Sequence, residues 1–261
     1  MSEYAEIINQ YYDSWGSLLD VGDFTNKVGD QLSEKGFSKD NSRLVFSVCP
    51  DDVNRLNVRE TAEKALVKQW DSEFHLGGLG AFPIGGITGI TAASHHPPDK
   101  VSGESREEGN LIFFVSPHVG VVKQENLILG KMIRPGQEKL TSSCGAMIGF
   151  LAALKEAGNV ESFKIAPDAE NLDPTRVVLQ NAIISQYSKN LDTLLNESDD
   201  NKQVADIFKV NYDLVDTTTK KMISTFMERE HFEGNIAFIG GITVNMPGKD
   251  MFILRDVSFP K

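Results

Sequence analysis

Arg43-Leu-Val-Phe-Ser-Val-Cys49 is a short β-prone run that stops at Pro50. Asp51 to Gln69 follows, with Val53, Leu56, Val58 and Ala65-Leu66 on an imperfect helical stripe. This stretch predicts a strand, a turn and a helix. Leu111-Ile-Phe-Phe-Val115 is a second strong strand and leads into Ser116-Pro117-His118. Thr141 to Gly158 reads as a capped, largely buried helix with Cys144 in its first turn, closed by a glycine that tolerates the left-handed conformation. Strands interleaved with helices predict an α/β fold, a central sheet flanked by helices.

Tyr4 to Leu19 and Phe24 to Lys35 read as helices, with Gly36 as a stop, so that residues 1–40 form a helical N-terminal arm. After Asp173-Pro174 a helical region runs to about Leu195. A polar Asn-Glu-Ser-Asp-Asp-Asn stretch separates it from another between Gln203 and Glu230. Gly234 to Val244 and Met251 to Val257 close the chain as expected strands. With no internal repeat or convincing linker, residues 1–261 are read as a single domain.

Composition narrows the function. A net charge of −11 and a pI near 5.0 work against phosphate-backbone binding, so nucleic acid is not an expected partner. The longest apolar-and-glycine stretch, Ala146 to Leu154, falls well short of the roughly 18 residues a membrane span needs, and no membrane insertion is expected. Met-Ser-Glu-Tyr-Ala-Glu at the start lacks the basic opening and apolar run of a secretory signal. The expected location is the cytoplasm or a reducing organelle interior, where thiols stay free.

The chain has two cysteines. Cys49 ends one strand, Cys144 lies at a helix start that favours its thiolate, and His118 follows another strand, so all three can converge at strand ends. Two thiolates and an imidazole are an established ligand set for zinc with an open fourth position. The bland alternative is that these are buried cysteines and a hydrogen-bonded histidine. Asp51 and Arg55 sharpen the metal reading. As an isolated pair they are an N-cap and an exposed i, i+4 partner. Beside a metal, Arg55 would hold Asp51 by charge-assisted hydrogen bonds and aim its carboxylate at the nucleophile.

The segment Phe74 to Pro98 is rich in glycine, and its small residues suggest close backbone packing. It lacks the last glycine of a dinucleotide fingerprint, and no Gly-Lys-Ser/Thr loop is present. The expectation is that Phe82, Ile84 and Gly85 frame an apolar recess beside the metal, with His95 or His96 at its rim. His75, His95 and His96 are the candidates for proton transfer to buffer.

Taken together, Ser47-Val-Cys-Pro-Asp-Asp-Val-Asn-Arg55, His75-Leu-Gly-Gly-Leu-Gly-Ala-Phe-Pro-Ile-Gly-Gly-Ile-Thr-Gly89, Ser94-His-His-Pro-Pro-Asp99, Ser116-Pro-His-Val-Gly120 and Ser142-Ser-Cys-Gly145 resemble the limiting-CO2-inducible protein B/C family, the theta-type branch of β-carbonic-anhydrase-like proteins. The resemblance implies a β-carbonic-anhydrase-like sheet and a homodimer. It also implies Zn2+ on Cys49, His118 and Cys144, with Asp51 and Arg55 as the catalytic pair. The implied activity is zinc-dependent reversible hydration of carbon dioxide to bicarbonate and a proton. Two other readings stay open: a catalytically silent zinc-binding partner or regulator in inorganic-carbon metabolism, and a Cys144 hydrolase with His118 or His75 as base.

Overall fold

The computed structural model describes residues 3–55, 60–70, 72–95, 109–165 and 169–260. Helix α1 (Glu3–Tyr12), strand β1 (Ser17–Asp20) and α2 (Val21–Glu34) come first. Strand β2 (Ser42–Val48), a 3-10 turn (Asp52–Asn54), α3 (Ala62–Trp70) and β3 (Glu73–His75) follow, then a second 3-10 turn (Leu79–Ala81) and α4 (Gly86–Ser94). The middle of the chain holds β4 (Asn110–Ser116), β5 (His118–Lys123), β6 (Leu127–Leu129), β7 (Lys131–Ile133), β8 (Leu140–Ser142) and α5 (Gly145–Ala157). Helices α6 (Ala169–Leu172), α7 (Pro174–Leu195) and α8 (Asp200–Glu230) precede the closing strands β9 (Ile236–Asn245) and β10 (Asp250–Ser258).

The main sheet runs β1-β10-β9-β4-β2-β3, with β5 also on β9 and β6 on β5, while β7 and β8 form a separate pair. Strands β3, β2, β4 and β9 are parallel; β10 and β1 add an antiparallel edge. Side chains alternate across the sheet, as a period of two requires. Leu44, Phe46, Ile112 and Phe114 pack with Phe24, Val28 and Leu66 of α2 and α3, whereas Val45, Phe113 and Val115 pack with Ile90, Val215 and Ile223 of α4 and α8. Both faces are therefore covered, which explains the nearly continuous apolar runs in β2 and β4. No helix among the described residues is long and apolar enough to cross a membrane.

Long β9 serves two strands in turn. Ile236 to Gly240 pair with Leu111 to Val115, and Thr243 to Asn245 pair with His118 to Gly120. Pro117 interrupts the ladder because it has no N–H, but its carbonyl accepts from the Thr243 amide at 2.9 Å. Ser116 Oγ accepts from the same amide at 3.0 Å. The break thus sends β4 on as β5 without leaving the sheet. Strands β3 and β4 lie on opposite sides of β2, reached through α3 on one face and α4 on the other. That change of direction is a switch point, where the carboxyl ends of parallel strands leave a crevice.

Several expectations need correction. Tyr4 to Leu19 is not one helix: α1 stops at Tyr12, and Ser17 to Asp20 pair with Leu254 to Met251. Backbone pairing with a distant strand outweighs the local leucines, and the N-terminal arm is tied into the sheet. The helix expected from Asp51 reduces to the 3-10 turn and to α3, which starts at Ala62; Leu56 and Val58 lie outside the described residues. The glycine-rich segment holds α4, β5 to β7 occupy a stretch given no element from sequence, and β8 takes Thr141 and Ser142 from the start of the expected helix. Cys144 is the N-cap of α5 rather than a first-turn residue, with extended backbone angles.

Candidate metal centre

Cys49 leaves the end of β2, His118 opens β5 one proline beyond the end of β4, and Cys144 caps α5. One donor atom from each lies within 4.8 Å of the others, and all three residues are buried. The two sulfurs are 3.6 Å apart and the cysteines are free. Two thiolates on one tetrahedral zinc stand about 3.8 Å apart, given Zn–S bonds of about 2.3 Å. A disulfide requires about 2.05 Å. His118 Nε2 is buried and has no hydrogen-bond partner. A buried imidazole nitrogen without a partner is costly, and a metal ion is a partner that suits a ring nitrogen beside two sulfurs. The donor set fits zinc in number, chemistry and spacing.

The thiols are not equivalent. A hydrogen bond from Cys49 holds Cys144 below the usual thiol range, and the amides of Met147 and Ala146 at the start of α5 reinforce this against burial. Donating to Cys144, together with burial, pushes Cys49 up. Burial disfavours the imidazolium of His118, but contact with Cys49 and the charge of Asp51 outweigh it and raise its pKa.

Asp51 caps the 3-10 turn, accepting from the Val53 amide at 3.2 Å. Its Oδ2 is 3.8 Å from His118 Nε2, so the carboxylate stands beside the donor cluster. The arginine that holds it is Arg134, just beyond β7. Nη1 meets Oδ1 at 2.7 Å and Nη2 meets Oδ2 at 2.9 Å, a bidentate fork, and Nη1 also bonds Asp52. Burial would raise the Asp51 pKa, but the Arg134 hydrogen bonds and the nearby His118 charge keep it below the ordinary carboxylate value. The expected Asp51–Arg55 pair is therefore corrected. Arg55 ends the 3-10 turn and reaches the other way, with Nε 3.0 Å from Glu63 Oε1 and Nη2 2.7 Å from His75 Nδ1.

The expected recess is only partly assembled. Phe82 belongs to the same buried cluster as Cys49 and Cys144. Ile84 is 47% exposed, and His95 caps α4 at the surface. The Gly85 amide donates to Leu76 O, and a side chain there would meet the Leu76 side chain at 2.9 Å, so this glycine packs two backbones together. His96 lies outside the described residues. Sequence reasoning missed Arg134, Asn245 and Ser143. Asn245 Oδ1 is 2.7 Å from His118 Nδ1, and Ser143 Oγ is 3.3 Å from the same nitrogen. A polar residue closing the apolar run Ile-Ala-Phe-Ile-Gly-Gly-Ile-Thr-Val was the available signal for Asn245, since asparagine is depleted in strands.

Residues 18–258 match the family described as limiting CO2-inducible proteins B/C β-carbonic anhydrases. PtLCIB4, a homolog of the limiting CO2-inducible protein LCIB, superposes with a TM-score of 0.74 at 23% identity, over 98% of this chain and 95% of that one. LCIB itself gives a TM-score of 0.66 at 18% identity, over 100% and 99%. These likenesses show the fold. No curated protein matches the chain.

Proposed function

The chain belongs to the limiting CO2-inducible B/C family of β-carbonic anhydrases, and from that membership and its Cys-His-Cys cluster we propose that it catalyses zinc-dependent, reversible hydration of carbon dioxide to bicarbonate and a proton. The observation that carries this reading is the buried, partnerless His118 Nε2 within reach of two cysteine sulfurs and next to an arginine-held carboxylate. Cys49, His118 and Cys144 would hold the ion. Zinc, when bound, supplies the Lewis acidity that makes water a nucleophile near neutral pH.

Asp51 supplies direction. Kept ionised by Arg134, it only accepts hydrogen bonds, so a water between it and the donor cluster must turn one O–H toward the carboxylate and present a lone pair outward. The fork of Arg134 prevents the carboxylate from rotating. Phe82 helps to cover the cysteine side with apolar surface. His75 is a poor candidate to carry the product proton. Burial and then the charge of Arg55 lower its pKa, and Arg55 occupies its Nδ1. The homodimer is part of the proposal, and a monomer in sedimentation would argue against it.

A second reading has one observation behind it. All three donor residues are at most 2% exposed, an enclosure that also suits a zinc-bearing partner without turnover. Stopped-flow carbon dioxide hydration on protein of measured zinc content separates the two. Hydration that depends on Asp51 supports the enzyme; stoichiometric zinc without hydration rejects it.

A further inference from the structure

Behind the cluster, two asparagine side chains join one proposed ligand to another. Asn54 Nδ2 donates to the backbone carbonyl of Cys49 at 3.1 Å. Asn54 Oδ1 lies 3.3 Å from Asn245 Nδ2, which also lies 3.3 Å from Asp250 Oδ1. Asn245 Oδ1 in turn is 2.7 Å from His118 Nδ1. His118, Asn245 and Asp250 are fully buried, and Asn54 nearly so.

The direction of every bond follows from the first. A carbonyl only accepts, so the Asn54 amide nitrogen must face Cys49 and its oxygen must face Asn245. The nitrogen of Asn245 then faces Asn54 and Asp250, leaving its oxygen toward the imidazole. An amide oxygen only accepts as well, so Nδ1 must carry the hydrogen. Ser143 Oγ, 3.3 Å from both Nδ1 and Asn245 Oδ1, fits the same pattern, accepting from the ring and donating to the amide.

We propose that Asn245, oriented by Asn54 and Asp250, is a positioning residue that fixes the Nδ1–H tautomer of His118 and so presents the Nε2 lone pair to the metal. It touches neither substrate nor metal. This rests on the reading of Cys49, His118 and Cys144 as zinc ligands, and it adds a reason why the imidazole arrives with the right nitrogen bare. Partners of this kind behind a metal-bound histidine are typically worth about 10- to 100-fold in metal affinity.

The test uses the full-length chain and two readouts. Nitrogen-15 NMR of histidine-labelled, metal-free wild type, followed upward in pH until the ring is neutral, is expected to show His118 protonated on Nδ1 alone; the Nε2–H form would overturn the proposal without any variant. Zinc affinity by chelator competition is expected to fall about 10- to 100-fold in Asn245→Leu, which lacks the acceptor, and to recover to within about 3-fold of wild type in Asn245→Asp combined with Asp250→Asn, which restores the acceptor toward His118 and moves the amide donor to position 250. Asn245→Leu binding zinc as tightly as wild type, or both variants losing it equally, would overturn the proposal. Wild type that holds no zinc yet shows the Nδ1–H form sinks the metal reading while the tautomer assignment stands.

Discussion

Among the described residues two clusters bring a histidine together with other metal-ligating groups, and they differ in what occupies the centre. Cys49, His118 and Cys144 form one; Glu63, Glu73 and His75 form the other, and in each the donor atoms lie within 4.8 Å of one another. In the first, a guanidinium stands to one side, clamping Asp51 and leaving His118 Nε2 unpartnered. In the second, a guanidinium stands in the middle, where Arg55 engages both Glu63 and His75. Proximity of donors is therefore not enough. A cation site needs room that no internal cation has already taken: the first cluster has none among its donors, whereas in the second Arg55 already stands on both Glu63 and His75.

The same contrast separates the two carboxylate–arginine pairs. Asp51 is gripped by two nitrogens of a mostly buried arginine and stays below the ordinary value. Glu63 meets Arg55 through Nε alone, and that arginine is nearly half exposed. Burial therefore outweighs the charge of Arg55, and the Glu63 pKa is pushed up to about 7.

The sharpest way to break this comparison is to delete each histidine. His118→Ala is expected to lose stoichiometric zinc and all measurable hydration, whereas His75→Ala keeps its zinc by elemental analysis; equal losses would make the clusters equivalent. Next, Asp51→Ala is expected to reduce kcat about 100-fold or more with zinc retained, the range for a group that handles the proton of the nucleophile. Normal turnover in that variant would remove Asp51 from the chemistry. The arginines follow. Arg134→Ala should lower kcat by at least about 10-fold through a released carboxylate, and Arg55→Ala by under about 3-fold, measured in the same assay. A larger effect at Arg55 would restore the local pairing that the fold contradicts.

The smallest expected effect concerns pH. Glu63 has a folded-state pKa of about 7, above its ordinary value of 4.5, so the folded chain holds that proton more tightly than the unfolded one. Its contribution to stability is then present below about pH 4.5 and is lost as pH rises to about 7, with a slope of at most about 1.4 kcal/mol per pH unit. Glu63→Gln should flatten denaturant-derived stability across that window. An unchanged slope would mean that Arg55 neutralises Glu63 better than the burial of the carboxyl suggests.

Strand ends were legible where apolar runs met a breaker. Arg43 to Cys49 meets Pro50, and Leu111 to Val115 meets Pro117, so Cys49 and His118 were placed at the carboxyl ends of strands that prove to be neighbours. Ser17 to Asp20 was not legible as a strand. Four residues are too few to separate a period of two from one of 3.6, and the partner that decides the matter lies near residue 253. Arg55 looked attractive because i, i+4 spacing is the only contact a sequence displays. Arg134 is 83 residues from Asp51 and carries no such mark.

By itself, then, the sequence determined the chemical inventory: two cysteines, a histidine after a strand, an aspartate beside the first cysteine, and a set of motifs that point to one family. Those are local properties of residue type, periodicity and breakers. Tertiary structure decided which arginine holds the aspartate and which cluster keeps a bare imidazole nitrogen. It also decided which amide chain orients that ring. Each of these depends on hydrogen-bond direction between groups far apart in the chain, and direction exists only once β2, β4 and β9 lie side by side.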